Sequence, residues 1–254
     1  NSLVKRHFAF GSFSFYLDAL KIAVPVMAQL LIQNLVSLID NFMVSGLGDV
    51  KMSGVNITGQ IIFMFMVFTN TICMAGGIFM TQYSGAGDKK GMRQAFCFKI
   101  WAGLFVFFLY SVSCFAFPRS ILSLMVIGNS QAEAILFEGI KYMRIMGFMG
   151  FPCLISIMIS SSLREIGEVR VPLVISVIAT LVNTVLNFIL IYGHFGFSRL
   201  EVQGAAIATV IARAVEMAAF IFYMIKKRPP FVIKFLDLFR VNLHLFKEIF
   251  KKAG

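Results

Sequence analysis

Asp40 stands in LVSLIDNFMVSG (35–46), a stretch otherwise built mainly from Leu, Val, Ile, Phe and Met. Placing a charged carboxylate at the centre of a lipid-spanning helix costs about 2.5–3.5 kcal/mol on insertion scales. Holding helices together does not need an acid, whereas binding a proton or a small cation does. Asp40 also ends a polar stripe. Gln29, Gln33, Ser37 and Asp40 step by four, four and three residues, so they share one helix face. Ser176, Thr180, Asn183 and Asn187 form a second stripe, Thr209, Arg213 and Glu216 a third, and Asn56 with Gln60 a short fourth. Amides and hydroxyls in such stripes often serve as glue between spans, worth roughly 0.6 kcal/mol each. The other reading is a wet cavity, with Gln33, Ser37, Gln60, Thr180, Arg213 and Glu216 as candidate substrate-lining residues. Arg213 and Glu216, opposite in sign at i,i+3, read either as a self-neutralised pair or as a gating element.

Those stripes need helices to carry them. Of 254 residues, 59% are hydrophobic and 14% charged, where a soluble domain carries about a quarter charged residues. Lipid forces every backbone group to be satisfied internally, so long apolar runs imply helices. No segments of about ten residues with strict alternation mark a β-barrel. The reading is all-α: a polytopic membrane protein with a six-helix transmembrane bundle. The spans run roughly over 19–45, 54–81, 95–117, 138–162, 171–192 and 203–225. SGLGD (45–49), SGAGDKKG (84–91), Pro118, REIGEVRVP (164–172) and YGHFGFSR (192–199) break them. Pro172 falls near the first turn of the fifth span, where a missing N–H costs little. Pro25 and Pro152 fall inside spans and predict bends.

The domain reading is a cytoplasmic N-terminal segment over 1–16, the bundle over 17–225, and a basic cytoplasmic linker over 226–254. With the N-terminus inside, the inner regions hold seventeen Lys and Arg, Lys99 among them, and the outer loops hold three. That asymmetry places both termini in the cytoplasm of a multi-pass cell-membrane protein. It also gives the net charge of +11 a bland explanation, without nucleic acid as a partner. Lys141 and Arg144 read as cations snorkelling from the fourth span. The tail KKRPPFVIKFLDLFRVNLHLFKEIFKKAG (226–254) is either an interfacial helix on an anionic leaflet or a lead into a second lobe. Cys73, Cys97, Cys114 and Cys153 lie in apolar runs without metal-ligand spacing and read as small core residues. No short apolar run with a small-residue cleavage site follows Lys5 and Arg6. His7, His194 and His244 lie outside the spans, and no HExxH or GxSxG is present, so an enzyme is not expected.

The ordered set LKIAVPVMAQLLIQNLVSLIDNFMVSGLGD (20–49), GGIFMTQYSGAGDKKGMRQAF (76–96), SSSLREIGEVRVPL (161–173), NTVLNFILIYG (183–193) and VQGAAIATVIARAVE (202–216) resembles the multidrug and toxic compound extrusion (MATE) family. The resemblance implies a two-lobed secondary transporter, of which this chain is the N-terminal six-helix half. It would export drugs or organic cations by antiport with H+ or Na+, with no cofactor besides that coupling ion. Membrane lipid, the substrate and a C-terminal lobe are the partners it implies. The resemblance also implies a cation or proton site at Asp40, Asn183, Asn187 and Thr209, where Na+ would meet four oxygens. Asn187 departs from the pattern, since many members carry Asp there. One carboxylate remains instead of two, so proton coupling through Asp40 is as well supported as sodium coupling. The alternatives are a lipid-linked oligosaccharide flippase of the wider superfamily and a non-transporting membrane interaction subunit.

Overall fold

The structure, a computed structural model, describes residues 13–128, 130–196 and 198–232. Several side chains of the first helix lie outside the described residues, including those of Lys21, Pro25, Gln33, Ser37 and Asp40. So do Lys5, Arg6 and the tail beyond Val232, on which part of the reading of 1–16 and 226–254 falls.

Among the described residues eight helices follow one another: α1 (Phe13–Ser45), α2 (Asp49–Gly85), α3 (Lys89–Phe115), α4 (Pro118–Ser123), α5 (Ala132–Gly147), α6 (Gly150–Glu165), α7 (Arg170–Tyr192) and α8 (Glu201–Lys227). No strand interrupts them among the described residues. Five are long and apolar enough to cross a membrane; counting α5 and α6 as one bent span makes six. With 37 residues, α2 is about 55 Å long and overreaches a hydrocarbon core of about 30 Å. The faces left open carry Phe42, Phe63, Phe105, Phe108, Val185 and Phe222, the composition that acyl chains require. The chain is therefore a multi-pass membrane protein.

The turns are short because glycines close them. Gly48, at φ 100°, separates α1 from α2, and Gly87, at φ 70°, separates α2 from α3. Both angles lie where a Cβ is disfavoured. Just after Gly87, the Asp88 side chain accepts from the Lys90 N–H at 2.9 Å and caps α3.

The fourth span differs from its expected form. It is not a continuous helix kinked at Pro152; it breaks between Gly147 and Gly150, with a 51° bend. Pro152 falls in the first turn of α6, where no intrahelical N–H is lost. Aromatic rings of α3 pack against the glycines on either side of the break. A Cβ at Gly147 would sit 2.7 Å from the Phe115 ring, and one at Gly150 would sit 2.8 Å from the Tyr110 ring. The Tyr110 hydroxyl donates to the Met146 carbonyl at 3.0 Å, which also accepts from the Met149 N–H at 3.0 Å, so the break is tied to α3. Pro118 does not merely end the third span: it opens the short α4.

Packing runs through small residues. α2 lies against α3, α5 and α6, α7 pairs with α8, and α1 lies along α7. Thr58 donates between the carbonyls of Gly54 (3.0 Å) and Gly139 (3.2 Å), where α2 crosses α5. All four cysteines are buried, and none forms a disulfide among the described residues. Gly204 brings α8 so close to the end of α7 that an added Cβ would lie 2.6 Å from the Leu190 carbonyl oxygen. Backbone cannot swing aside as a side chain can, so Gly204→Val should cost about 1–3 kcal/mol. A thermal melt of the purified protein checks this, with the midpoint falling by several degrees.

Candidate functional site

The polar stripes of α7 and α8 run antiparallel and meet residue by residue. At one level, buried Ser176 donates to Glu216 Oε1 at 3.0 Å. Arg213 Nη1 donates to Glu216 Oε2 at 2.7 Å, so both carboxylate oxygens are engaged. Gln29 of α1 donates through Nε2 to Ser176 Oγ at 2.9 Å. Its own Oε1 is buried without a hydrogen-bond partner among the described residues. The Arg213–Glu216 pair is thus self-neutralised, and α1, α7 and α8 are tied at this level by one polar network.

Two turns further along α7, a second cluster forms. Asn183 donates to Thr209 Oγ1 at 3.3 Å, and Asn187 donates to Asn183 Oδ1 at 3.5 Å. Thr209 in turn donates to the Ala205 carbonyl at 3.0 Å. Asn187 is 2% exposed. Three of the four expected ion-site residues therefore lie together.

Asp40 enters through the backbone, since its side chain lies outside the described residues, as do those of Gln33 and Ser37. α1 and α7 run parallel. Gln29 meets Ser176 at one end, and the Tyr192 hydroxyl donates to the Met43 carbonyl at 3.5 Å at the other. From Gln29 to Asp40 is eleven residues, as it is from Ser176 to Asn187. Both steps climb about 16 Å. The bracketing contacts set the Asp40 backbone level with Asn187.

Other expected lining residues are placed differently. Asn56 and Gln60 are exposed on α2. Thr180 is half-buried on α7, and its carbonyl accepts from Thr184 Oγ1 at 3.2 Å. Lys141 is half-exposed, 3.3 Å from Glu138 and over the Phe137 ring.

Lys99 corrects the charge count. It is not a loop cation: its side chain is wholly buried on α3. Its ammonium donates to Ser161 and Ser162, each at 3.2 Å, and to Glu165. Ser161 donates to the other Glu165 oxygen at 2.6 Å. The adjacent Gly76 and Gly77 on α2 open the space. A Cβ on Gly76 would strike Lys99 Cγ at 2.7 Å, and one on Gly77 would strike Glu165 Oε1 at 2.4 Å. The signal available in sequence was the GlyGly pair together with SSxxE on a neighbouring span.

No group of three or more His, Cys, Asp or Glu that could hold a metal occurs among the described residues. The Asn183–Asn187–Thr209 cluster offers amide and hydroxyl oxygen, donors that match a hard cation better than a transition metal.

The MatE family model matches residues 25–189. A probable multidrug resistance protein NorM of Thermotoga maritima is 28% identical over 220 residues, covering 85% of this chain and 46% of its own. The multidrug export protein MepA of Staphylococcus saprophyticus is 26% identical over 244 residues, covering 95% and 52%. Among solved structures, a MATE protein in the straight conformation superimposes with a TM-score of 0.80 at 22% identity, covering 92% of this chain and 50% of that one. A superfamily transporter from Pyrococcus furiosus, whose structure is described by a reversed polarity of its binding pocket, gives 0.76 at 21% identity, covering 93% and 50%. The chain spans about half the length of the curated relatives it matches.

Proposed function

Because the chain belongs to the MatE family, we propose that it forms one lobe of a secondary transporter exporting organic cations or drugs in exchange for H+ or Na+. The observation that carries this reading is the α1–α7 register, which brings the Asp40 backbone level with the Asn183–Asn187–Thr209 cluster. Asp40, ionised, attracts one monovalent cation from outside. Occupancy removes its charge and favours a different packing of α1 on α7 and α8. The coupling is the difference in ion affinity between the two packings, and the membrane potential adds about 2.3 kcal/mol per charge per 100 mV. With Asn rather than Asp at position 187, a single carboxylate fixes the stoichiometry at one charge. Alternating access requires a second lobe for this one to move against, consistent with relatives about twice as long.

The orientation belongs to this proposal. Without Lys99, sixteen basic residues remain on one side against three on the other, which keeps both termini cytoplasmic, the 1–16 and 226–254 segments included. An anionic lipid-linked oligosaccharide is disfavoured as cargo, because Arg213, the best-placed interior cation of these stripes, is neutralised by Glu216 at 2.7 Å.

Reconstitution of the complete protein in vesicles tests the reading, with tetraphenylphosphonium as the probe cation. An imposed proton or sodium gradient should drive its movement, and dissipating that gradient should stop it. Probe movement indifferent to both gradients would remove the proposal.

A further inference from the structure

A cavity of about 700 Å3 opens at the end of the bundle where α3 begins and α6 and α8 finish. Its walls are apolar, with Ile100, Met158 and Ile225 among them, while Lys89, Arg93 and Arg228 stand at its rim. Among the described residues no acidic side chain lines it, and none forms an ion pair with any of the three cations. The chain leaving α8 builds the last wall. Arg228 adopts φ 46°, a left-handed angle costly for a residue with a Cβ. Its N–H still closes the helix on the Met224 carbonyl at 3.0 Å. Pro229 and Pro230 then turn the chain back, and Phe231, fully buried, packs on Phe96 of α3 with ring centroids 5.0 Å apart. This hook fixes Arg228 on the same rim as the two α3 cations.

An apolar chamber with a rim of cations alone complements an amphiphile with a negative head. In a membrane-spanning bundle the molecule at hand with that chemistry is a lipid. We propose that this cavity binds an anionic phospholipid, its phosphodiester held by Lys89, Arg93 and Arg228 and its first acyl carbons lying against Ile100, Met158 and Ile225. The site stands apart from the ion cluster. Thr209 and Ile225 are sixteen residues apart on α8, about 24 Å along the helix, so the proposal does not rest on the transport reading.

The test uses the complete protein, purified in mild detergent and exchanged into nanodiscs of phosphatidylglycerol in phosphatidylcholine, with retained lipid counted by native mass spectrometry. The wild type should retain phosphatidylglycerol selectively. The double variant Arg93→Gln/Arg228→Gln should lose that retention by about twentyfold, at a few-fold per interfacial cation. A control with the same charge loss at the same end but off the rim, Lys90→Gln/Lys227→Gln, should keep it. Ile225→Trp, which fills the chamber and leaves every charge in place, should lose it too, and it serves if the double variant does not fold. Inorganic phosphate should not strip the lipid. Equal loss in rim and off-rim variants, retention by Ile225→Trp, displacement by phosphate alone, or no selective retention in the wild type would each overturn the proposal.

Discussion

Glu165→Ala should melt well below the wild type, by the largest margin of any single side-chain truncation at a charged position of the bundle. Lys99 is wholly buried, and Glu165 is its only carboxylate partner among the described residues, with a side chain 15% exposed. Ser161 and Ser162 supply dipoles but no charge. Removing Glu165 leaves an ammonium inside the bundle with no countercharge, a loss of about 3–5 kcal/mol when one member of a buried pair is deleted. The same reasoning sets the rescue. Lys99→Met/Glu165→Leu removes both charges, refills similar volume, and should recover most of the midpoint. Gly76 and Gly77 admit the longer side chains, so the double variant has room to pack. Thermal melts of the purified variants check both statements. A single variant melting within a degree of the wild type would mean that Lys99 finds water, and that the cluster is less closed than its geometry indicates.

Asp40→Asn should abolish gradient-driven export while leaving the fold intact. The substitution keeps size and hydrogen-bonding capacity and removes only the ability to ionise. The cost of keeping a charge in the span, about 2.5–3.5 kcal/mol, disappears with it, so the variant should be at least as stable as its parent. The expected outcome is a split: an unchanged or raised melting midpoint, with ion-driven probe movement reduced to that of empty vesicles. Wild-type export from a folded Asp40→Asn protein would remove Asp40 from the mechanism. Asn187→Asp, which restores a second carboxylate beside Asn183, should strengthen sodium dependence relative to proton dependence in the same assay.

The periodic stripes were legible because helical spacing is a property of the chain alone. Ser176 against Glu216 and Asn183 against Thr209 follow from two stripes wound on antiparallel neighbours. The i,i+3 neutralisation of Arg213 by Glu216 was legible for the same reason, as one of two readings. Lys99 was not legible. It lies within ten residues of Lys89, Lys90 and Arg93, and counting charges by loop cannot tell a cation at the interface from one turned inward. Its partners come from α6 and its space from α2, both far away in sequence. A bend in the fourth span was legible from Pro152, but not its place: the helix breaks at 147–150, where the glycines admit Phe115 and Tyr110 of α3, partners that the chain order does not reveal. The small helix after Pro118 is only six residues long and carries no periodic signal to read. The rim cavity depends on the turn at Arg228–Pro229, whose left-handed angle no propensity for Arg would suggest.

On the proposed mechanism one carboxylate, Asp40, holds the coupling ion beside Asn183, Asn187 and Thr209 and gives it up when a cationic substrate binds. The direct measurement is ion release from the complete purified protein in weakly buffered solution on addition of tetraphenylphosphonium, followed by a pH indicator and, in parallel, by a sodium-selective electrode. Wild-type protein should release close to one proton or one sodium ion per bound probe, and Asp40→Asn protein should bind the probe without releasing either. Equal release from both proteins, or probe binding to the wild type with neither ion released, would rule that mechanism out.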